Sequence, residues 1–174
     1  MKKEKIIKII KEIFSYVFIF VIVLLIKTYV FTPIRVNGGS MEPTLKHNDM
    51  MILNEIGYYL NGVERFDIVV VSVNGEKIIK RVIGLPGDKV EYKDNQLYIN
   101  DKVVEEDFIH GDTLDFSLKD DLGYDIIPDN YYFVVGDNRN NSIDSRIIGL
   151  VSNKQIKGKT KLVIYPFNKF GNVN

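Results

Sequence analysis

Asp67-Ile68-Val69-Val70-Val71-Ser72-Val73-Asn74-Gly75-Glu76-Lys77-Ile78-Ile79-Lys80-Arg81-Val82-Ile83 decides the fold class of this chain. Two runs rich in β-branched residues flank Asn74-Gly75, a dipeptide suited to a two-residue turn that needs positive φ at both positions. The stretch predicts an antiparallel hairpin of 67–73 against 77–83. Working outward, 50–53, 89–92, 96–99, 131–135 and 161–165 also read as strands, being rich in Val, Ile and Tyr. Pro86-Gly87-Asp88, Lys93-Asp94-Asn95 and Asn100-Asp101 supply turns between them. Residues 107–130 are more polar and irregular and read as an insertion on the sheet edge. No long 3.6-residue period follows residue 31, and no internal repeat is visible. The expectation for 32–174 is a mainly β domain of sandwich or barrel type.

The N-terminal stretch differs in kind. Residues 13–26 carry no charge, and Lys27-Thr28-Tyr29-Val30-Phe31 follow. Counted through Phe31, the segment has about the 20 residues that cross a bilayer. Lys27 can snorkel to the headgroups, and Tyr29 and Phe31 suit the interface. Lys2, Lys3, Lys5, Lys8 and Lys11 precede it, against Glu4 and Glu12, so the positive-inside rule places the N-terminus in the cytoplasm. The expected organisation is a cytoplasmic basic tail at 1–12, a transmembrane anchor at 13–31 and an extracytoplasmic domain at 32–174. A cleaved leader would need small residues at its cut site, whereas 27–33 is bulky and the chain has no alanine.

Composition narrows the chemistry. The chain has 23 basic and 23 acidic residues, a formal net charge of zero, and no basic stripe beyond its N-terminus, which argues against nucleic acid as a partner. With no cysteine and two histidines, thiol chemistry is excluded and few options remain for a zinc site. Ser40 lies in Gly38-Gly39-Ser40-Met41-Glu42-Pro43-Thr44, a loop whose glycines allow close approach of another chain. A serine needs a base to become a nucleophile. In the run 78–83 a strand puts Ile78, Lys80 and Val82 on one face. If that face is inward, desolvation lowers the Lys80 pKa and makes the amine a base; if it is an edge, the amine reaches water and protects against aggregation. Arg81, on the other face, reads as structural. Gly136-Asp137-Asn138-Arg139-Asn140-Asn141-Ser142-Ile143-Asp144-Ser145-Arg146 is dense in short hydrogen-bonding groups. A solvated loop is the default for such a stretch, but Asp144 and Arg146 are spaced to form an ion pair along a strand, and Ser142 or Ser145 could orient an amine. His47 sits in the polar turn 46–49 and reads as solvent-facing, with no catalytic role.

Three of these stretches, in this order and behind an apolar anchor, together resemble the bacterial type I signal peptidases, membrane-anchored Ser-Lys endopeptidases. Residues 39–44 are similar to the family's nucleophile box, 80–88 (KRVIGLPGD) to its lysine box and 136–146 (GDNRNNSIDSR) to its third box. The resemblance covers almost the whole chain and is to the compact Gram-positive form. It implies a signal-peptidase/LexA-like β fold, with Ser40 as nucleophile and Lys80 as general base. It further implies that Ser142 orients the lysine, that Asp144 and Arg146 brace the loop, and that Asp137 and Arg139 are structural. Met41 and Pro43 would shape the nucleophile turn, and the Ser40 N–H would enter the oxyanion hole. Some relatives add a serine hydroxyl two positions before the nucleophile; this chain has Gly38 there. Val36 and Ile79 are offered as walls of the substrate pockets. The implied partners are the signal peptides of secretory preproteins and the lipid bilayer, with no cofactor and no metal. Two other readings are a self-cleaving repressor-type Ser-Lys protease, which would lack the anchor, and a catalytically inactive membrane-tethered β-domain that binds partner proteins.

Overall fold

A computed structural model describes residues 2–29 and 32–173, with side chains described for 5–24 and 32–173. The first element is a 28-residue helix, α1 (Lys2–Tyr29). The basic tail and the apolar segment as far as Tyr29 therefore form one continuous helix. Its described side chains are all exposed. Among the described residues, no helix is long and apolar enough to cross a membrane. The expected anchor at 13–31 runs beyond the described side chains, and Lys27, Tyr29 and Phe31 lie outside them.

The rest is strand. In chain order it holds β1 (Thr32–Arg35), β2 (Met50–Asn54), α2 (Glu55–Asn61), β3 (Ile68–Val73), β4 (Glu76–Gly84), β5 (Val90–Lys93), β6 (Gln96–Ile99) and β7 (Lys102–Val104). There follow β8 (Phe116–Ser117), α3 (Leu118–Leu122), β9 (Tyr131–Val135), α4 (Ser145–Ile148), β10 (Val151–Ser152), β11 (Ile156–Tyr165) and β12 (Gly171–Asn172). One sheet runs β1-β2-β11-β3-β4-β9-β10, with β12 also on β11; a second runs β7-β6-β5-β8. Every named strand pair is antiparallel. The β3–β4 hairpin closes with Val73 opposite Glu76, and Asn74 and Gly75 have φ of 50° and 86°, the geometry that this dipeptide predicts. Asp94-Asn95 and Asn100-Asp101 close the β5–β6 and β6–β7 hairpins with positive φ in the same way.

The expected strands fall on β2, β3, β4, β5, β6, β9 and β11; β6 and β9 have the expected ends, and the ends of the others are shifted. Four short strands (β1, β7, β8 and β10) and the pair partner β12 had too few residues to show a period. The region 107–130 is not an appendage on an edge. It contributes β8 and α3, and buries Phe116, Leu118 and Ile127 with Ile83, Val90, Tyr92, Leu97, Phe133 and Val135 between the two sheets. Each such side chain withdrawn from water stabilises the fold by about 1.5–3 kcal/mol. β3 reads Ile-Val-Val-Val because its first four residues are all buried, as in a central strand covered on both faces. β4 lies between β3 and β9, so Lys80 and Arg81, on opposite faces, are both taken from water, at 3% and 1% exposure. Lys80 is thus not on an edge.

Candidate active site

β1 delivers the chain to a loop, residues 37–49, that carries Ser40. Its ends are tied by the Val36 N–H to the Asp49 carbonyl at 2.8 Å and the Asn48 N–H to the Val36 carbonyl at 2.9 Å. Met41 and Leu45 face inward, fully buried with Val36, Met51, Ile68 and Val163, while the Leu45 N–H donates to the Met41 carbonyl. This apolar footing is why the residue after the serine is large and hydrophobic. Ser40 is left half-buried at the surface. Asn138 holds it from the opposite side: its N–H donates to the Ser40 carbonyl at 3.0 Å and its side-chain amide to the Gly39 carbonyl at 3.1 Å. The Gly38 N–H donates to His47 Nδ1 at 3.1 Å.

Lys80 Nζ lies 2.6 Å from Ser40 Oγ, within hydrogen-bond reach. Burial pushes the Lys80 pKa down to about 8 from 10.5; the Asp144 carboxylate opposes the fall, Arg146 adds to it and Asp137 opposes it. A lysine at the surface would be protonated almost completely at neutral pH; this one is neutral in an appreciable fraction. A hydroxyl in contact with the neutral fraction of this amine can give up its proton to it, which is the chemistry a serine nucleophile needs.

The third stretch packs beside this pair. Asp144 is the N-cap of α4 and accepts from Arg146 Nε and Nη2 at 2.9 and 2.8 Å and from the Gly136 N–H at 3.0 Å. Burial raises its pKa, but the Arg146 guanidinium and these hydrogen bonds outweigh that and hold it below the usual value. The expected Asp144–Arg146 pair is therefore present, but it starts a helical turn rather than bracketing a strand. Ser145 donates nothing to the lysine; its Oγ accepts from the Val134 N–H. Ser142 Oγ is buried and makes no hydrogen bond, so the contact expected between it and the amine is absent here. It lies close enough to Asp144 for its dipole to favour the carboxylate. A Cβ on Gly136 would collide with Ser142 Oγ and come within 2.5 Å of the Ser40 carbonyl oxygen. Only glycine allows the two serines to close on that backbone.

Asp137 and Arg139 do not pair with each other. Asp137 takes Arg81 through two oxygens, at 2.9 and 2.8 Å, and the Thr44 hydroxyl at 2.6 Å, which ties β4, the third stretch and the serine loop together. Arg139 reaches across to the second sheet, pairing with Glu106 at 2.7 Å and donating through Nε to the Gly136 carbonyl at 3.1 Å. Val36 and Ile79 pack in one apolar cluster, Val36 buried and Ile79 half-buried. Sequence reasoning missed Asn138, Thr44, Glu106 and the contact from His47. The turn of His47 is indeed exposed, but its ring supports the loop. Asn138 stood in the quoted stretch; nothing in a single sequence pointed to Glu106, whose partner is 33 residues away. Among the described residues, no group of three or more His, Asp or Glu side chains is placed to hold a metal ion.

The chain and its β fold are similar to known proteins. Residues 7–165 match the model of the family described as "Signal peptidase, peptidase S26". The chain is 45% identical over 162 aligned positions to signal peptidase I S of Bacillus subtilis (strain 168), covering 88% of each. It is 39% identical to signal peptidase IB of Staphylococcus aureus (strain COL), covering 98% of this chain and 94% of that one. A crystal structure of a signal peptidase I from Enterococcus faecalis V583 superposes with a TM-score of 0.53 at 38% identity, covering 56% of this chain and 95% of that one. The chain belongs to the signal peptidase family, peptidase S26.

Proposed function

We propose that this chain is a membrane-anchored serine endopeptidase that removes N-terminal signal peptides from exported preproteins. The observation that carries the mechanism is the 2.6 Å approach of Lys80 Nζ to Ser40 Oγ, with the amine pushed down to about 8. Neutral Lys80 takes the Ser40 proton as Ser40 Oγ bonds to the scissile carbonyl carbon. The tetrahedral oxyanion forms beside the Ser40 N–H, which carries no hydrogen bond among the described residues. Gly38 brings no side-chain donor, and its own N–H is directed to His47. The intermediate collapses by breaking the C–N bond, and the Lys80 ammonium returns its proton to the leaving amine of the mature protein. The signal peptide remains as an ester on Ser40. Lys80 then deprotonates a water that attacks the ester carbonyl, and Ser40 leaves with the proton from Lys80.

β1 is an edge strand of the large sheet, so an extended substrate can add to it through main-chain hydrogen bonds, with Val36 and Ile79 walling small pockets for side chains before the cut. Asp144, Arg146 and Asn138 position the catalytic loop, and Met41 seats it in the core. The membrane reading is supported by α1: the described side chains from Ile13 to Val23 are uncharged and exposed all round. Residues 1–12 then lie in the cytoplasm, 13–31 cross the bilayer and 32–174 face outward, as the lysines ahead of the apolar run favour. An inactive tethered domain has nothing in its favour, since Ser40 and Lys80 are both present and in contact.

The purified full-length protein in detergent, given a preprotein, is expected to release the signal peptide as a discrete fragment. Ser40→Ala should abolish release; cleavage at the wild-type rate by that variant would remove Ser40 from the mechanism.

A further inference from the structure

A cavity lies against the third stretch, and neither Val36 nor Ile79 is among its walls. It encloses about 360 Å³, and its walls include Leu114, Phe116 and Ile147, with Arg139, Ser142 and Arg146 behind. Leu114 and Ile147 turn apolar side chains to solvent, at 78% and 70% exposure, on either side of its mouth. Two large exposed aliphatic groups on the wall of one concavity make an apolar surface that a ligand side chain can cover. The cations at the back are already satisfied: Arg139 by Glu106, and Arg146 by Asp144. Exposed Asp115 adds a negative charge at the rim. The cavity is therefore suited to an apolar side chain and opposes an acidic one.

Ser142 is the shared wall. It lines this cavity, and its hydroxyl crowds the same Gly136 position as the Ser40 carbonyl. Val36 and Ile79 belong to a separate cluster at the β1 side of Ser40. An extended peptide that places residues before the scissile bond over Val36 and Ile79 crosses Ser40 and leaves over Ser142. It advances about 3.3 Å per residue, so the cavity receives one of the first few residues after the cut.

We propose that this cavity is a subsite for the mature part of the preprotein, taking an apolar side chain between Leu114 and Ile147 just beyond the scissile bond. The inference deepens the endopeptidase reading and rests on it. Its walls come from the region 107–130 and from α4, which gives that region a part in substrate choice. The test uses internally quenched peptides that share one signal-peptide half and carry Leu, Gly or Asp at each of the first four positions after the cut. At one position the wild-type protein should cleave the Leu peptide at least tenfold better than the Asp peptide in kcat/KM, through KM. Ile147→Asp and Leu114→Asp, on two different elements and both exposed, should each bring the Leu-to-Gly ratio at that position close to one. Tyr59→Ser, exposed on α2 and outside the cavity's walls, should leave the ratio as in wild type. Cleavage of every peptide with ratios within twofold at all four positions overturns the subsite, as does a preference that survives both variants. Failure to cleave any peptide or a preprotein instead overturns the endopeptidase reading.

Discussion

Lys80 sets the pH range in which this site can work. Its amine is useful only when neutral, and neutrality is gained above the pKa, here about 8 because burial disfavours the charged form. Activity on a peptide is expected to rise with pH to a plateau above about 8 and to fall roughly tenfold for each unit below it. A profile that stays flat down to pH 5 would contradict a lysine base. Lys80→Arg should be inactive at every pH, because a guanidinium is not deprotonated in proteins and cannot take the serine proton. The same strand explains why Arg81, one residue on, has a different part to play. It turns to the other face and meets Asp137 through two hydrogen bonds, so its charge is compensated and it serves to tie the site together.

At the scale of elements, the site depends on how closely the third stretch lies against the serine loop. Gly136 is the point of closest approach, with Ser142 Oγ and the Ser40 carbonyl both inside the space a Cβ would fill. Gly136→Ala must push one of them away. The expected result is a drop in kcat of about 10²-fold with KM little changed, since a displacement near 1 Å at a reacting group costs about that much. Stability should fall by only about 1–3 kcal/mol, the usual range for overpacking. Kinetics of the purified variant beside its urea unfolding curve separates the two effects; unaltered kcat would mean that the loop pair is not held as described. α4 contributes through its cap. Asp144 satisfies the Arg146 N–H of that turn and the Gly136 N–H at once, so one carboxylate fixes the direction of the helix and of the loop that bears Ser142.

At the scale of the whole molecule, the two sheets share a core, and a buried ion pair crosses between them. Arg139, beside Gly136, pairs with Glu106 just beyond β7, and Glu106 also accepts from the buried Tyr92 hydroxyl. Removing one partner of such a pair leaves a buried charge uncompensated, at about 3–5 kcal/mol. Glu106→Ala should therefore lower the melting temperature by roughly 10 °C, and an unchanged melting curve would show that the pair does not couple the sheets. The membrane arrangement is testable on the full chain, because it has no cysteine of its own. Cysteines placed at Lys5 and at Leu114 should differ in intact cells: a membrane-impermeant thiol reagent should label the second and spare the first. Labelling of both or neither, or the reverse pattern, would reject the proposed orientation.

Read by itself, the sequence determined the class of fold and the order of the chemistry along the chain. Asn74-Gly75 specified a turn because few other dipeptides tolerate its backbone, and the β-branched runs beside it specified strands through local preference. Family membership was likewise legible, because three spaced boxes survive without coordinates. What tertiary structure alone decided was environment. Whether Lys80 faced water or the core depended on β9 joining the sheet beyond β4, a pairing of residues more than 50 positions apart. That Asp137 would take Arg81 and Arg139 would take Glu106, rather than each other, followed from which buried charges the packing brought within reach. The region 107–130 looked like an edge insertion because its polar residues are near the surface; its few apolar ones, Phe116, Leu118 and Ile127, close the core. Burial and partner choice arise from long-range contacts, and no local pattern encodes them.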